Sequence, residues 1–449
     1  MHNYELENNK NNKKKKNLLI LAYSFPPVGG GRVRRVIKFV KYLPYFGWNP
    51  IILTVKKPIV NEYDYELLKE LPKNLKVYRT ASIEFGIISK TFKNLSNDIH
   101  KKKSILKSVL FELLERIKYW IFIPDTRIGW IPFAVVKGLK LVRREDVDAI
   151  MVIAEPFSSF ISGTMLKFLT KKPLVLDFRD EWSEYNKYFF PKKSRFTTKI
   201  EEKMEACIIK NSDIVISVTE RIIDNFRKRY PDCNPEKFVC ITNGFDPDDF
   251  RNIPVSNKTN SKKFTIAYAG LLYSKRSPSY LFKSIQELLK EDPETKNILR
   301  LLFLGEMNSE VKYLFDIDEI KQFAEFLGFL GYRETLFVLK NSDLLIYLED
   351  ELEISNRFLP AKIFEYMGIG KPVLALANEG TVKDVIEQSK IGLVVPRRDI
   401  QEIKSTIKKL IVKHIKKENI YSPDYKFINR FHRKRLTGTL VKQLNSLVI

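Results

Sequence analysis

The stretch "NRFLPAKIFEYMGIGKPVLALANEG", residues 356–380, decides the reading of the fold, because it passes from a short helix through a glycine turn into an apolar strand. Pro360 suits the first helical position, where a missing N–H costs nothing. Lys362 and Glu365 then share one face. Helical side chains lean toward the N-terminus, so both head groups aim at the end where unpaired backbone N–H groups favour an anion. The pair reads either as a phosphate seat with a carboxylate beside it or as an exposed i,i+3 ion pair. Gly368 and Gly370 close the helix, and Lys371 and Pro372 lead into "VLAL", an apolar run of strand character. A helix feeding a parallel strand is the unit from which nucleotide-binding α/β sheets are built.

The same alternation runs along the whole chain. Strands are expected at 18–23, 50–55, 149–153, 174–178 and 214–218, then at 264–269, 300–304, 326–330, 344–347, 372–376 and 392–395, with helical patterns between them. The polar stretch "RNIPVSNKTNSKK" interrupts the pattern and reads as a linker. The expected organisation is a basic flexible N-terminus (1–16), a first Rossmann-like domain (17–250), a linker (251–263) and a second Rossmann-like domain (264–424). The closing segment, 425–449, carries Phe427, Phe431, Leu436, Leu440 and Leu444 at helical intervals and is expected to pack back on the first domain. Two such domains place ligands outside the carboxyl ends of their strands.

At 449 residues the chain is too long for one ordinary core, and 44% hydrophobic residues mark it as globular. Lysine and arginine exceed the acids by 78 − 54 = 24, which favours an anionic partner: nucleic acid, an acidic membrane surface or phosphorylated substrates. No nucleic-acid-binding module accompanies the charge, so no nucleic-acid partner is expected. Cys207, Cys233 and Cys240 have no paired spacing, and with four scattered histidines they suggest neither disulfides nor a metal site. The basic lead and apolar stretch of the N-terminus lack a cleavage site and run into Pro26, Pro27 and three glycines, so a first strand is the better reading than a signal peptide. No window approaches the roughly 18 uncharged apolar residues of a membrane span, and a cytoplasmic protein, soluble or peripheral, is expected. The segment 104–123, preceded by Lys101, Lys102 and Lys103, fits either an interfacial helix on anionic lipid or a cover for its own core.

Together these stretches resemble the retaining nucleotide-sugar glycosyltransferases of family four, the group 1 type, which have the GT-B architecture. The carriers are "SFPPVGGGRVRRVIKFVKYL", "AEPFSSF", "VLDFRDEW", "ITNGFD", "YAGLLYSKRSP", "FLGFLGYRETLFVLKNSDLLI" and "LPAKIFEYMGIGKPVLA", in that order. The resemblance implies a nucleotide-diphosphate sugar as co-substrate, no other cofactor, no metal and no protein nucleophile. Gly29, Gly30 and Gly31 would let the backbone approach the diphosphate or acceptor. Lys275 and Arg276 match the basic position set against the leaving diphosphate, Arg276 being preferred for its distance from Gly270. Glu365 matches the second glutamate of the family's paired motif, which takes the ribose hydroxyls, with Leu359 and Lys362 beside it on the phosphate side. Gly331 and Arg333 lie where the base is held, and Asn243 belongs to the same donor set. Two positions depart from the family: Arg357 replaces the first glutamate of the pair, and Ala154 stands where several relatives have a histidine. Glu155, Arg179 and Asp180 remain to line the acceptor side, although "DFRD" reads equally well as a buried structural network.

The expected function is transfer of a hexosyl or N-acetylhexosaminyl group to a glycan or lipid-linked acceptor, in bacterial surface polysaccharide or glycoconjugate synthesis. The alternatives are a catalytically inactive relative serving as a scaffold and a nucleotide-sugar 2-epimerase, which would need carboxylates and a histidine for proton transfer.

Overall fold

The computed structural model describes residues 15–58, 63–83, 122–189, 193–255 and 263–448. They form two compact units. The first takes the chain up to Ser217, Arg227–Val239 and everything from Thr437 on; the second takes Val218–Phe226 and Cys240–Leu436.

In the first unit seven strands, β1 (Lys16–Ala22), β2 (Trp48–Val55), β3 (Lys76–Thr80), β4 (Ala149–Ile153), β5 (Leu174–Arg179), β6 (Ile214–Ser217) and β7 (Phe238–Cys240), lie in the order β3-β2-β1-β4-β5-β6-β7. Every pair from β3 to β6 is parallel. The central strands are buried on both faces, which explains their apolar runs "LLILA" and "AIMVI", and "LVLDF" with Asp177 as its one polar member. The last helix, Arg433–Leu447, is tied to this sheet by Trp48 Nε1 donating to Asn445 Oδ1 (3.1 Å) and Lys16 Nζ donating to the Val448 carbonyl (2.6 Å).

In the second unit β8 (Phe264–Ala269), β9 (Leu299–Leu304), β10 (Ala324–Gly328), β11 (Leu344–Leu348), β12 (Val373–Leu376) and β13 (Gly392–Val395) form a parallel sheet ordered β10-β9-β8-β11-β12-β13. Strand alternation sends Ile266, Phe303, Leu344 and Ile346 to one core and Ala267, Leu302, Leu345 and Tyr347 to the other. The first core is closed by helices Ser279–Glu291 and Ile400–Ile415, the second by Tyr332–Lys340 and Ala361–Ile369. Each fully buried Leu, Ile or Phe contributes about 1.5–3 kcal/mol.

All eleven expected strands are present. Two more, β3 and β7, complete the first sheet at its edges: "KVYRT" is only partly buried and β7 has three residues, so neither carries the long apolar signal of a central strand. β10 sits two residues earlier than the sequence suggests, because its pairing with β9 starts at Ala324 opposite Leu301. Pro360 is the N-cap residue, with extended ψ of 144°, and the helix begins at Ala361. Within 425–449, Phe427, Ile428 and Phe431 pack in the core of the second unit, the Phe431 ring 5.1 Å from that of Phe364, and attachment to the first unit begins at Thr437. Residues 104–121 of the amphipathic segment, like residues 1–14, lie outside the described residues. Among those described, no helix is long and apolar enough to cross a membrane.

Candidate active site

In the second sheet the chain leaves β8 for β9 on one side and reaches β11 on the other, so the topological switch point lies between the ends of β8 and β11. Gly270 follows β8 at a φ of 145°, and its N–H donates to the Leu304 carbonyl (2.8 Å). Gly305, at φ 119°, presses so closely on Gly270 that an added Cβ would stand 2.5 Å from the Gly270 carbonyl oxygen. Against the open side of Gly270 lies Lys362: a Cβ added at Gly270 would stand 2.5 Å from its Nζ. Any larger residue at Gly270 therefore displaces that ammonium.

Lys362 reaches this position from the first turn of helix Ala361–Ile369, whose N-cap Pro360 offers no side-chain cap to the N–H groups there. Its Nζ lies 4.5 Å from the centre of the Tyr268 ring and donates to Tyr268 Oη (3.3 Å). Burial of the ammonium, reinforced by the nearby Arg276 and only partly offset by Asp350 and Glu365, pulls the Lys362 pKa down to about 7. Part of the lysine side chain still reaches solvent. The charged group is thus poised beside an open backbone, where an anion would hold it protonated. Tyr268, pushed up to about 12 by burial, stays neutral.

Arg276 enters from the loop after β8, where its N–H donates to the Tyr273 carbonyl (2.8 Å) in a tight turn. Its Nη2 meets Asp350 Oδ2 at 2.5 Å, just past the end of β11, and its guanidinium lies 5.5 Å from the Tyr273 ring centre. Burial works against this charge, but Tyr268 and Asp350 more than offset it, and the arginine remains protonated. Arg276 Nε and Asp350 Oδ1 are both buried without a hydrogen-bond partner. Arg276 and Lys362 stand within electrostatic reach of each other beside this switch point, a pair of cations that favours an anionic ligand.

The structure thus brings Gly270, Arg276 and Lys362 together, with Glu365 near enough to act on the Lys362 charge. Lys275 is exposed, and its carbonyl accepts from the Glu351 N–H (2.7 Å). Leu359 is a core residue, so only its backbone is available to a ligand. Gly331 caps helix Tyr332–Lys340, where its N–H donates to Glu334 Oε2 (3.0 Å), and Arg333 is exposed beside it. Asn243 is buried ahead of Gly244, which is pressed against the Phe431 carbonyl. The sequence reading missed Tyr268, Tyr273 and Asp350. Their signal was positional: Tyr268 ends two residues before the strand-end glycine, and Asp350 follows β11 at the carboxyl edge.

In the first unit the corresponding switch point lies between β1 and β4. Gly30, at φ 86°, turns the chain from β1 into helix Gly31–Tyr42, a backbone position that favours glycine. A Cβ added at Gly31 meets nothing within 4 Å. Arg32 Nη1 pairs with Glu155 Oε2 at 2.9 Å, and Arg179 Nη1 donates to the Arg32 carbonyl (3.3 Å). Arg179 is held at φ 61°, with its carbonyl accepting from Ser217 Oγ (2.6 Å). Asp180 is raised to about 6 by burial, with Glu155 and Asp177 adding to the rise while Arg179 and Arg32 oppose it. Asp177, by contrast, is wholly structural: both its oxygens take Arg35, at 2.7 and 3.1 Å, with the two side chains 0% and 1% exposed. "DFRD" therefore divides, its first acid in the core and its last two residues at the strand end.

Comparisons with known proteins agree with this layout. Among solved structures, a glycosyltransferase from Rickettsia africae ESF-5 is 16% identical with a TM-score of 0.63, covering 96% of this chain and 98% of its own. Anabaena Alr3699/HepE in complex with UDP and glucose gives 17% and 0.60, covering 96% and 100%. A sucrose-phosphate synthase from Thermosynechococcus elongatus gives 14% and 0.62, covering 96% and 99%. At such identities the likeness is one of fold, and the fold is GT-B. No curated protein matches the chain by sequence. Two family models do, and they meet at one residue: Glycosyltransferase Family 4 over residues 94–249 and Glycosyl transferases group 1 over residues 249–426. With both halves matched in order along one GT-B fold, the chain belongs to the group 1 glycosyltransferases and is an enzyme of that class.

Proposed function

We propose that the protein moves a sugar from a nucleotide-diphosphate donor to a glycan or lipid-linked acceptor, with retention of configuration, in bacterial surface polysaccharide or glycoconjugate synthesis. The observation that carries this reading is the meeting of the Arg276 and Lys362 charges with the Gly270 backbone at the switch point of the second sheet. The HepE structure bound to UDP and glucose supports the donor class. Arg276 and Lys362 neutralise the diphosphate, and Glu365 takes the ribose hydroxyls. In the transfer the bond from the sugar's C1 to the β-phosphate oxygen breaks, and its electron pair leaves with the diphosphate. The acceptor oxygen bonds to C1 on the same face and gives its proton to the departing phosphate oxygen. The two cations stabilise the charge that grows on the leaving group, the main catalytic demand of this reaction. Glu155, Arg179 and Asp180 line the acceptor side in the first unit. We place the enzyme in the cytoplasm, at the inner face of the membrane, where its +24 charge favours an anionic surface.

Binding of a nucleotide sugar should then depend on pH in one direction. Its pyrophosphate does not titrate between pH 6 and 9, so Lys362 is the group that responds. An anion raises the Lys362 pKa from about 7, so binding takes up a proton, is tightest below pH 7 and weakens as pH rises. Calorimetry should show up to about a tenfold loss of affinity per pH unit above 7, and Lys362→Met should flatten that slope.

A thermal-shift screen with UDP, GDP, TDP, CMP and ADP and their sugars tests the donor class, because a ligand bound only by the native state raises the melting temperature. One nucleoside diphosphate should stabilise the protein, and Glu365→Ala should reduce the shift. Stabilisation by none of them would favour the scaffold reading, for which the replacements at Arg357 and Ala154 speak.

A further inference from the structure

We propose that the outer face of helices Ile131–Arg144, Ser158–Thr170 and Arg195–Asn211, in the first unit, is a docking surface for an anionic lipid bilayer. The proposal rests on the placement of the enzyme at a membrane and names the surface that makes the contact. The three helices form one layer. Helix Ile131–Arg144 packs over β1, β2 and β3, helix Ser158–Thr170 packs over β1, β4 and β5, and helix Arg195–Asn211 touches the second of these. The first two meet so closely that a Cβ added at Gly138 would stand 2.6 Å from Leu166 Cδ1. Gly163 seats helix Ser158–Thr170 on β4, where an added Cβ would overlap Val152 Cγ2. Over the last two turns of that helix the opposite side faces out. It carries Met165, Phe168 and Leu169, spaced i, i+3 and i+4 and 42%, 54% and 59% exposed. Val136, 56% exposed, stands on the outer stripe of the neighbouring helix. Large apolar side chains grouped in this way on a surface mark a contact with something apolar.

The charges beside the strip select the occupant. Val136 shares its stripe with the exposed Lys140 and Arg143, at i+4 and i+7. Helix Arg195–Asn211 exposes Lys199 and Lys203 on the side opposite its buried Thr197, Glu201 and Glu205. Neither of the first two helices contains an acidic residue. In the third, Glu201 and Glu205 are buried and Glu202 pairs with Lys187 at 2.9 Å. An apolar strip between rows of lysine and arginine matches a bilayer interface, where the carbon side chains enter among the acyl chains and the cations stay at the phosphates. A second copy of the chain would bring two such rows of like charge face to face. A nucleic acid would take the cations and leave the strip in water.

The test is co-flotation of the full chain with vesicles of phosphatidylcholine alone and of phosphatidylcholine with an equal part of phosphatidylglycerol, beside analytical ultracentrifugation of the lipid-free protein. The protein should float with the anionic vesicles and much less with the neutral ones. Phe168→Ser with Leu169→Ser should lower the partition coefficient at least about tenfold at unchanged net charge, and Lys140→Ala with Lys199→Ala should lower it by a similar factor. All four side chains are exposed, so the melting temperature should hold. A fall of several degrees in the apolar variant would mean that the chain itself covers these side chains, and would overturn the proposal. So would a wild-type dimer that this variant abolishes, which would give the face to a second copy. Flotation left intact by the apolar variant would overturn this surface but not the membrane placement, because the +24 charge alone would then hold the protein. No flotation at all would overturn both. None of these readouts needs a nucleotide sugar, so the donor assignment is judged separately.

Discussion

Arg276→Ala should lower kcat by about 10²–10³-fold, a loss of roughly 3–4 kcal/mol of transition-state stabilisation. The guanidinium is held by Asp350 at 2.5 Å, so it is already in place when the substrate arrives and needs no reorganisation as the leaving group becomes charged. KM for the donor should rise less than kcat falls, since charge accumulates on the diphosphate chiefly as the bond to the sugar breaks. Arg276→Lys should recover part of kcat, because it restores the charge but not the fixed fork of donors. Steady-state kinetics on the three proteins reads this directly. Equal and complete loss in both variants, with donor binding lost as well, would point to a damaged fold instead of missing electrostatics.

Asp177→Ala should destabilise the first unit by about 3–5 kcal/mol, because it leaves the Arg35 guanidinium charged and unpaired in a core where both side chains are essentially unexposed. Trp48, Trp130 and Trp182 are buried in the first unit, so the change in their fluorescence in urea follows this unit. A large drop in midpoint is expected. Replacing both partners, as in Asp177→Leu with Arg35→Met, should recover much of the loss, since it removes the buried charge along with the bond. Asp177 lies two residues from Arg179, and the pair fixes the strand whose end presents Arg179 and Asp180.

Most of the fold was legible because buried parallel strands write themselves as continuous apolar runs, and each such run was found. β3 escaped because an edge strand with one polar face, "KVYRT", has too little apolar content to stand out. The candidate site was legible where its residues coincide with backbone punctuation. Gly270, Arg276, Lys362 and Glu365 sit at fixed offsets from strand ends and a helix start. The supporting residues were not, because Tyr268 and Asp350 act through tertiary contacts across β8 and β11 that no spacing within one segment encodes. The "DFRD" ambiguity had the same origin. Only the Arg35 contact, 142 residues away in sequence, assigns Asp177 to the core.

The most direct measurement is release of the nucleoside diphosphate from a panel of nucleotide sugars, with water as the fallback acceptor, by the wild type and by Lys362→Met. One donor should be hydrolysed slowly by the wild type, and Lys362→Met should reduce that rate at least about a hundredfold. Release from no donor, or equal release by both proteins, would contradict the placement of the diphosphate between Arg276 and Lys362.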